Sequence, residues 1–199
     1  MGKIHKFPVQ TQMNVYEDDF KSAFVNDKEW KKLNEQLKAE ILSVGDKNNH
    51  KTNVKADMTS QMRNKSDSFK RLEKWIDEKI DQYMNLILGG FPIAEDGKKV
   101  NLQCQDIWGV IYRKGDWTQD HNHTGSVFSF SYYVQAEGNC APFVFTHPGL
   151  NLIKPKTGLF LIWDSVYRHM VPPHESDTPR IMIAGNIHFD KAEKFTESE

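Results

Sequence analysis

The stretch Phe128-Ser-Phe-Ser-Tyr-Tyr-Val134 alternates large apolar residues with small or polar ones. Because successive side chains of a β-strand point to opposite faces, this period of two predicts a strand with one apolar face. The opposite face carries the two serines and Tyr133. A polar face inside a β-sandwich is typical of a ligand cavity, since buried polar groups need partners.

The same period of two continues on both sides of this stretch. The runs that share it are Val100–Cys104, Ile107–Tyr112, Phe143–Phe145, Leu159–Trp163 and Arg180–Phe189. Glycines and prolines separate these runs, as turns between short strands require. Many short strands at this spacing predict a β-sandwich or a barrel.

The first part of the chain follows a helical pattern instead. Apolar residues three or four apart predict one helix from Tyr16 to Leu42 and a second from Asp67 to Leu88, which Gly89-Gly90 ends. The polar stretch from Gly45 to Ser66 predicts a loop with a short extended piece around Thr52 to Met58. The predicted fold class is therefore α+β, with two helices backing a β-sandwich.

The length of 199 residues suits a single domain with three parts. We expect residues 1–97 to form a mainly helical support and residues 98–190 to form the β core. Residues 191–199 read as a charged tail.

The composition argues against several classes of partner. Lys and Arg together number 26 and Asp and Glu number 27, a balance that argues against nucleic acid and lipid surfaces. Residues Met1–Gln10 lack the apolar core of a signal peptide, and no apolar run approaches the roughly 20 residues of a membrane span. The only two cysteines, Cys104 and Cys140, indicate a reducing compartment, so we expect a cytoplasmic protein.

Three histidines form the first candidate site. His121 and His123 are two positions apart, and on an extended strand both imidazoles point to one face, where they can bind one transition metal. His169 follows a later apolar strand and offers a third ligand. Asp120 would face the other way, which makes it a poor ligand. The pattern of two histidines alone is equally compatible with a pair of exposed loop residues.

Arg180 is the second candidate. It stands eleven residues after His169 and would share an inward face with Met182, Ala184 and Asn186. A buried arginine needs an anion, because an unpaired buried charge costs several kcal/mol. The planar guanidinium suits a carboxylate held by two hydrogen bonds.

The order of His121, His123, His169 and Arg180 resembles the Fe(II)- and 2-oxoglutarate-dependent oxygenases. The segment from Trp108 to His123 resembles the prolyl-hydroxylase-like branch, in which a tyrosine stands nine residues before the first iron-binding histidine, as Tyr112 does here. Residues 52–59 and the helix after them also resemble small oxygenases of tailed phages of marine bacteria, which would place the protein in the host cytoplasm.

The resemblance implies a double-stranded β-helix, or jelly-roll, with the N-terminal helices packed on one sheet. It implies an Fe(II) centre and a 2-oxoglutarate co-substrate, with O2 as the oxidant and succinate and CO2 as co-products. The implied metal ligands and catalytic residues are His121, His123 and His169, and the implied 2-oxoglutarate residues are Arg180, Tyr112, Tyr133 and Asn186. The substrate would be a small molecule or a peptide, with peptidyl proline as one candidate.

Two residues depart from the pattern of the family. His123 stands where the family has a carboxylate, which favours a three-histidine site but leaves open water in that position, a different metal, or a nearby acid such as Asp116 or Asp120. Met182 stands where several of these families place a serine. A tyrosine hydroxyl is the candidate replacement for that serine.

Two other functions remain open at this stage. One is a cupin-type three-histidine metal dioxygenase that does not use 2-oxoglutarate, although it would leave Arg180 without a role. The other is a non-catalytic β-sandwich binding module, against which the inward Arg180 argues. The sequence predicts no oligomeric state.

Overall fold

The computed structural model describes residues 12–44, 53–90 and 101–189. The predictions for Met1–Gln10 and for the charged tail at 191–199 lie outside these residues. The helices are α1 (Asp27–Val44) and α2 (Asp67–Leu88), with a short 3-10 turn at Phe20–Ala23. The strands are β1 (Val15–Asp19), β2 (Val54–Lys55), β3 (Asp57–Met58), β4 (Leu102–Tyr112), β5 (Trp117–His121), β6 (Phe128–Gln135), β7 (Phe143–His147), β8 (Asn151–Ile153), β9 (Leu159–Asp164), β10 (Arg168–Val171) and β11 (Arg180–Phe189).

The strands form two antiparallel sheets. The larger sheet has the order β1-β9-β6-β11-β4-β3, and the smaller sheet has the order β2-β5-β10-β7-β8. Neighbours in each sheet are often distant along the chain, because the strands alternate between the two sheets as they wind. The predicted α+β class and the double-stranded β-helix are confirmed.

The two helices pack on the outer face of the larger sheet. The apolar face of β6, which contains Phe130, Tyr132 and Val134, joins the helices in one core cluster, as the alternation predicts. A polar contact fixes the position of α1, since Asn34 donates to the carbonyl of Val134 at 2.8 Å and accepts from the Tyr132 hydroxyl at 2.7 Å. The opposite face of β6 therefore looks into the space between the sheets.

The second helix has the predicted bounds. Ser66 caps its start by accepting a hydrogen bond from the Phe69 amide at 3.2 Å. Gly89 ends it in the left-handed conformation with φ of 69°, which glycine adopts at little cost.

The predicted start of the first helix at Tyr16 is wrong. Residues Val15–Asp19 form the edge strand β1, which pairs with β9, and the helix begins only at Asp27. The side chain of Asn26 accepts a hydrogen bond from the Glu29 amide at 3.0 Å, so it caps the helix there. Long-range pairing with β9 overrides the local helical spacing.

The extended piece predicted near Thr52 to Met58 is confirmed for the described part, while Thr52 itself lies outside it. This piece is β2 and β3, and each belongs to a different sheet: β2 pairs with β5, and β3 pairs with β4. The segment therefore crosses from one sheet to the other at one edge of the sandwich.

Within the described residues, no helix is long and apolar enough to cross a membrane.

Candidate metal centre

The three predicted histidines converge between the sheets. His121 at the end of β5 lies directly opposite His169 of β10 in the antiparallel register. His123 follows two residues later, where its backbone amide donates to the Ser165 carbonyl at 2.9 Å. One ring nitrogen from each of the three histidines lies within 4.8 Å of the other two. This separation allows the three nitrogens to bind a single metal ion.

Backbone carbonyls orient two of the three rings. His121 Nδ1 lies 2.8 Å from the Gln119 carbonyl, and His169 Nδ1 lies 3.1 Å from the Tyr167 carbonyl. A carbonyl only accepts, so each Nδ1 must donate, and each Nε2 keeps its lone pair for a metal.

Burial keeps all three imidazoles neutral. Desolvation lowers the pKa of His121, lowers the pKa of His123 to about 4 and lowers that of His169 to about 3. The neighbouring histidines add to the effect on His123 and His169. Neutral imidazoles are the form that binds a transition metal, so the chemistry of this set of ligands fits Fe(II).

No carboxylate of the described residues joins the cluster. Asp120 points to the other side of the sheet, where it pairs with Arg168 at 2.8 Å and accepts from the Thr146 hydroxyl at 2.6 Å. Asp116 accepts from the backbone amide of Arg113 at 2.7 Å. Neither acid therefore provides a carboxylate at this cluster, and the third ring nitrogen beside those of His121 and His169 belongs to His123.

Arg180 lies fully buried beside the same cavity. Its guanidinium carbon is 4.8 Å from the centre of the Tyr112 ring and 5.0 Å from that of Tyr133. Nη1 donates to the Ala141 carbonyl at 3.1 Å, but Nε has no hydrogen-bond partner in the described part of the chain. Since a buried, unpaired charged donor is costly, this position fits an anionic ligand.

The two predicted tyrosines differ in their hydrogen bonds. The hydroxyl of Tyr112 lies 2.6 Å from that of Thr118, whereas the buried hydroxyl of Tyr133 has no partner among the described residues. Burial raises the pKa of both phenols, so both remain protonated and able to donate. Of these two phenols, only Tyr112 lines the cavity.

A cavity with an empty volume of about 680 Å³, including the part open to solvent, contains these groups. All three histidines, Tyr112 and Arg180 line it, together with residues that the sequence interpretation did not name as metal or 2-oxoglutarate ligands. These are chiefly Asn53, Met58, Thr118, Ser129, Phe143 and Met182. Tyr133 packs against the guanidinium of Arg180 but is not part of the wall.

Asn186 also lies outside the wall of the cavity. Its Oδ1 accepts a hydrogen bond at 3.0 Å from the hydroxyl of Ser129, which does line the cavity. The hydroxyl of Ser129 is also 3.0 Å from that of Ser165. Asn186 is thus one hydrogen bond away from the wall of the cavity.

Thr118 could not be found from the alternation of residues. In β5 it is separated from His121 by three positions, an odd number that would place the two side chains on opposite faces. The register between β5 and β10 is irregular, however, since His169 faces His121 while Val171 faces Thr118. Three steps along β5 thus oppose two steps along β10, which is a β-bulge in β5. The bulge places the side chains of Thr118 and His121 on the same inner face.

No family model and no curated protein matches the sequence. Solved structures do match. A viral collagen prolyl hydroxylase of Paramecium bursaria Chlorella virus-1, solved with 2-oxoglutarate, has a TM-score of 0.60 at 16% identity over 87% of this chain and 94% of that one. A prolyl-4-hydroxylase of Pseudomonas putida has a TM-score of 0.64 at 10% identity over 88% and 92%.

A third similar structure contains a bound peptide. It is a prolyl hydroxylase of Trichoplax adhaerens in complex with a fragment of hypoxia inducible factor, with a TM-score of 0.62 at 15% identity over 88% of this chain and 82% of that one. At this identity the likeness concerns the fold. The chain has the double-stranded β-helix fold of the 2-oxoglutarate- and Fe(II)-dependent oxygenases, including prolyl hydroxylases.

Proposed function

We propose that this protein is an Fe(II)- and 2-oxoglutarate-dependent dioxygenase that hydroxylates its substrate and releases succinate and CO2. The observation that carries the proposal is the set of side chains that line one cavity. Three convergent neutral imidazoles line it together with Arg180, a buried arginine whose Nε lacks a partner. Three neutral imidazoles can bind a transition metal, and a buried guanidinium can bind a carboxylate.

Each residue has a defined part in this proposal. His121, His123 and His169 hold the metal, and Arg180 binds the far carboxylate of 2-oxoglutarate. When bound, Fe(II) and 2-oxoglutarate together supply the electrons that activate O2 for attack on a C–H bond.

The hydroxyl of Tyr112 donates to the co-substrate, while Tyr133, which is outside the cavity wall, supports Arg180 by packing its ring 5.0 Å from the guanidinium carbon. For Tyr112 this requires that Thr118 donates to the phenol oxygen, which the distance between the two hydroxyls allows. Asn186 acts indirectly by holding the Ser129 hydroxyl. The apolar side chains of Val110, Phe143 and Val171 keep water away from the reacting groups.

The charges of the cavity favour an uncharged substrate group. Arg180 is the one lysine or arginine among the described residues that line it, and its ligand in this proposal is 2-oxoglutarate. The described lining therefore offers no second cation for a phosphate or a carboxylate of the substrate. A peptide side chain or a neutral small molecule fits this lining, and peptidyl proline is the first substrate to test.

A second candidate is a three-histidine metal dioxygenase that does not use 2-oxoglutarate. The specific observation in its favour is that no carboxylate of the described residues joins the histidine cluster. Against it, Arg180 would then remain buried with an unpaired Nε. A non-catalytic binding module is less well supported, because it gives no reason for three neutral imidazoles to converge.

The test is the production of succinate. The purified protein is incubated in air with Fe(II) and 2-oxoglutarate, first alone and then with proline-containing peptides, and succinate and peptide mass are measured. Succinate that depends on Fe(II) supports the proposal, and a peptide heavier by one oxygen atom identifies the substrate. A protein that binds Fe(II) but neither binds nor consumes 2-oxoglutarate contradicts it and favours the three-histidine alternative.

A further inference from the structure

A thioether covers part of the buried guanidinium. Met182 follows Arg180 by two residues in β11, and its Sδ accepts a hydrogen bond from Nη2 of Arg180 at 3.1 Å. Arg180 is 0% exposed and Met182 is 4% exposed. Met182 also lines the cavity, so the sulfur lies where a ligand of Arg180 would approach.

The remaining sides of the guanidinium are also covered. The rings of Tyr112 and Tyr133 lie 4.8 and 5.0 Å from its central carbon, and Nη1 donates to the carbonyl of Ala141. Only Nε lacks a partner in the described residues. A carboxylate held by two parallel hydrogen bonds needs two adjacent N–H groups. The edge formed by Nε and Nη2 is therefore the available one, and Met182 occupies half of it.

The sulfur is a weak and replaceable partner. A thioether is a poor acceptor, whereas a hydrogen bond between a guanidinium and a carboxylate is charge-assisted and stronger. The unbranched methionine side chain has three rotatable bonds, so it can move aside without a change in the backbone. A ligand that brings a carboxylate to this edge can replace the sulfur, whereas a ligand without one cannot.

We propose that Met182 is a specificity-determining residue of this cavity. Its thioether covers the Nε–Nη2 edge of Arg180, and the far carboxylate of a 2-oxo diacid displaces it. A 2-oxo monoacid such as pyruvate binds the metal but leaves the sulfur in place. This inference rests on the proposed function, since it assumes that a 2-oxo acid binds at the histidine cluster.

The first test compares affinities in the protein loaded with Zn(II), which is redox-inert. Calorimetric titrations with 2-oxoglutarate and with pyruvate are made on the wild type, on Met182→Ala and on Met58→Ala. Met58 is the matched control, since it is a methionine of the same cavity. We expect Met182→Ala to bind 2-oxoglutarate about fivefold more tightly, because no hydrogen bond to sulfur is broken. Its affinity for pyruvate should not change, and Met58→Ala should gain nothing for 2-oxoglutarate.

A second test does not depend on the folding of the alanine variant. In wild-type protein labelled with ¹³C at the methionine methyl groups, the signal of Met182 is identified by its loss in Met182→Leu. With Zn(II) bound, 2-oxoglutarate should shift this signal and pyruvate should not.

The outcomes separate the two proposals. If neither 2-oxo acid binds the metal-loaded wild type, the proposed function is wrong, and the role of Met182 falls with it. If 2-oxoglutarate binds but the Met182 signal stays in place, or Met182→Ala keeps the wild-type affinity, only the role of Met182 is overturned.

Discussion

The three histidines of the cluster are held in different ways, and this difference decides what each substitution should do. The rings of His121 and His169 are anchored through Nδ1 to backbone carbonyls. His169 is also buried, with its ring stacked 5.1 Å from that of Phe143. In the described residues the ring of His123 has no hydrogen bond, and its orientation depends on its neighbours in the cluster and on Trp108, 6.3 Å away.

Substitution of His121 should abolish the metal site. In His121→Ala only two imidazoles remain, so we expect Fe(II) affinity to fall by more than about a hundredfold, beyond the loss typical of a weakened supporting contact. The measurement is anaerobic titration of Fe(II) into the metal-free protein. His147→Ala, which removes an exposed histidine, is the control and should bind Fe(II) like the wild type. Stoichiometric Fe(II) in His121→Ala would contradict the assignment.

Two substitutions of His123 test whether this residue binds the metal where the family has a carboxylate. We expect His123→Ala to lose Fe(II), while His123→Asp should keep it, because a carboxylate oxygen is also a ligand for Fe(II). The same anaerobic titration reports both variants. If His123→Ala retained wild-type affinity, His123 would not be a ligand, and water or another group would occupy its position.

Substitution of Arg180 should weaken the binding of 2-oxoglutarate and leave the binding of the metal unchanged. Removal of the guanidinium in Arg180→Ala deletes hydrogen bonds to a charged ligand, and we expect the Kd for 2-oxoglutarate to rise at least about thirtyfold. The Kd for Fe(II) should change little, since the histidines are intact. Arg113→Ala, an exposed arginine paired with Asp57, is the matched control. Equal 2-oxoglutarate affinity in Arg180→Ala and the wild type would favour the three-histidine alternative.

At the scale of elements, the buried side chain of Asn34 is one of the polar links between the helical layer and the larger sheet. Asn34 of α1 is 5% exposed and bonds both to the hydroxyl of Tyr132 and to the carbonyl of Val134 in β6. Since β6 also carries Ser129 and Tyr133 on its opposite face, this contact supports the wall of the cavity from behind.

Removal of this contact should destabilise the protein. In Asn34→Ala the Tyr132 hydroxyl loses its acceptor in a buried setting, and we expect the free energy of unfolding to fall by about 2 kcal/mol. Urea unfolding followed by circular dichroism measures the change. Lys31→Ala, an exposed substitution in the same helix, should cost much less. A cost for Asn34→Ala no greater than that of Lys31→Ala would show that the contact contributes little.

Elements with strong local signals were predictable from the sequence, and elements defined by distant pairing were not. The bounds of α2 follow from Ser66 and Gly89, whose capping roles are local. In contrast, β1 depends on its pairing with β9, more than a hundred residues away. The spacing of apolar residues from Tyr16 onward therefore predicted a helix where the chain forms a strand.

The same distinction applies to the site. The inward direction of His121, His169 and Arg180 was predictable from strand alternation, and His123, which follows the end of β5, still converges with the other two histidines. The inward direction of Thr118 was not predictable, because the irregular register of β5 against β10 reverses the alternation locally. The contact between Met182 and Nη2 of Arg180 depends on side-chain conformations, which no spacing in the sequence encodes.

At the scale of the molecule, the candidate cofactor site joins the two sheets. His121 and His169 belong to strands of the smaller sheet, while Tyr112, Tyr133 and Arg180 belong to strands of the larger one. A metal on the histidines and a 2-oxoglutarate on both the metal and Arg180 would therefore bridge the sandwich. Binding energy of this kind adds directly to the stability of the native state.

This bridge predicts that the two ligands stabilise the protein together. We expect Zn(II) alone to raise the Tm, and 2-oxoglutarate to raise it further only when Zn(II) is present, because the diacid needs both anchors. At a ligand concentration of a hundred times its Kd, the added stability is about 2.7 kcal/mol, which is several degrees for a domain of this size. Thermal unfolding with each ligand alone and with both measures the effect. In Arg180→Ala the increment from 2-oxoglutarate should vanish while that from Zn(II) remains. An increment from 2-oxoglutarate that is equal with and without metal, or that persists in Arg180→Ala, would contradict a site that spans both sheets.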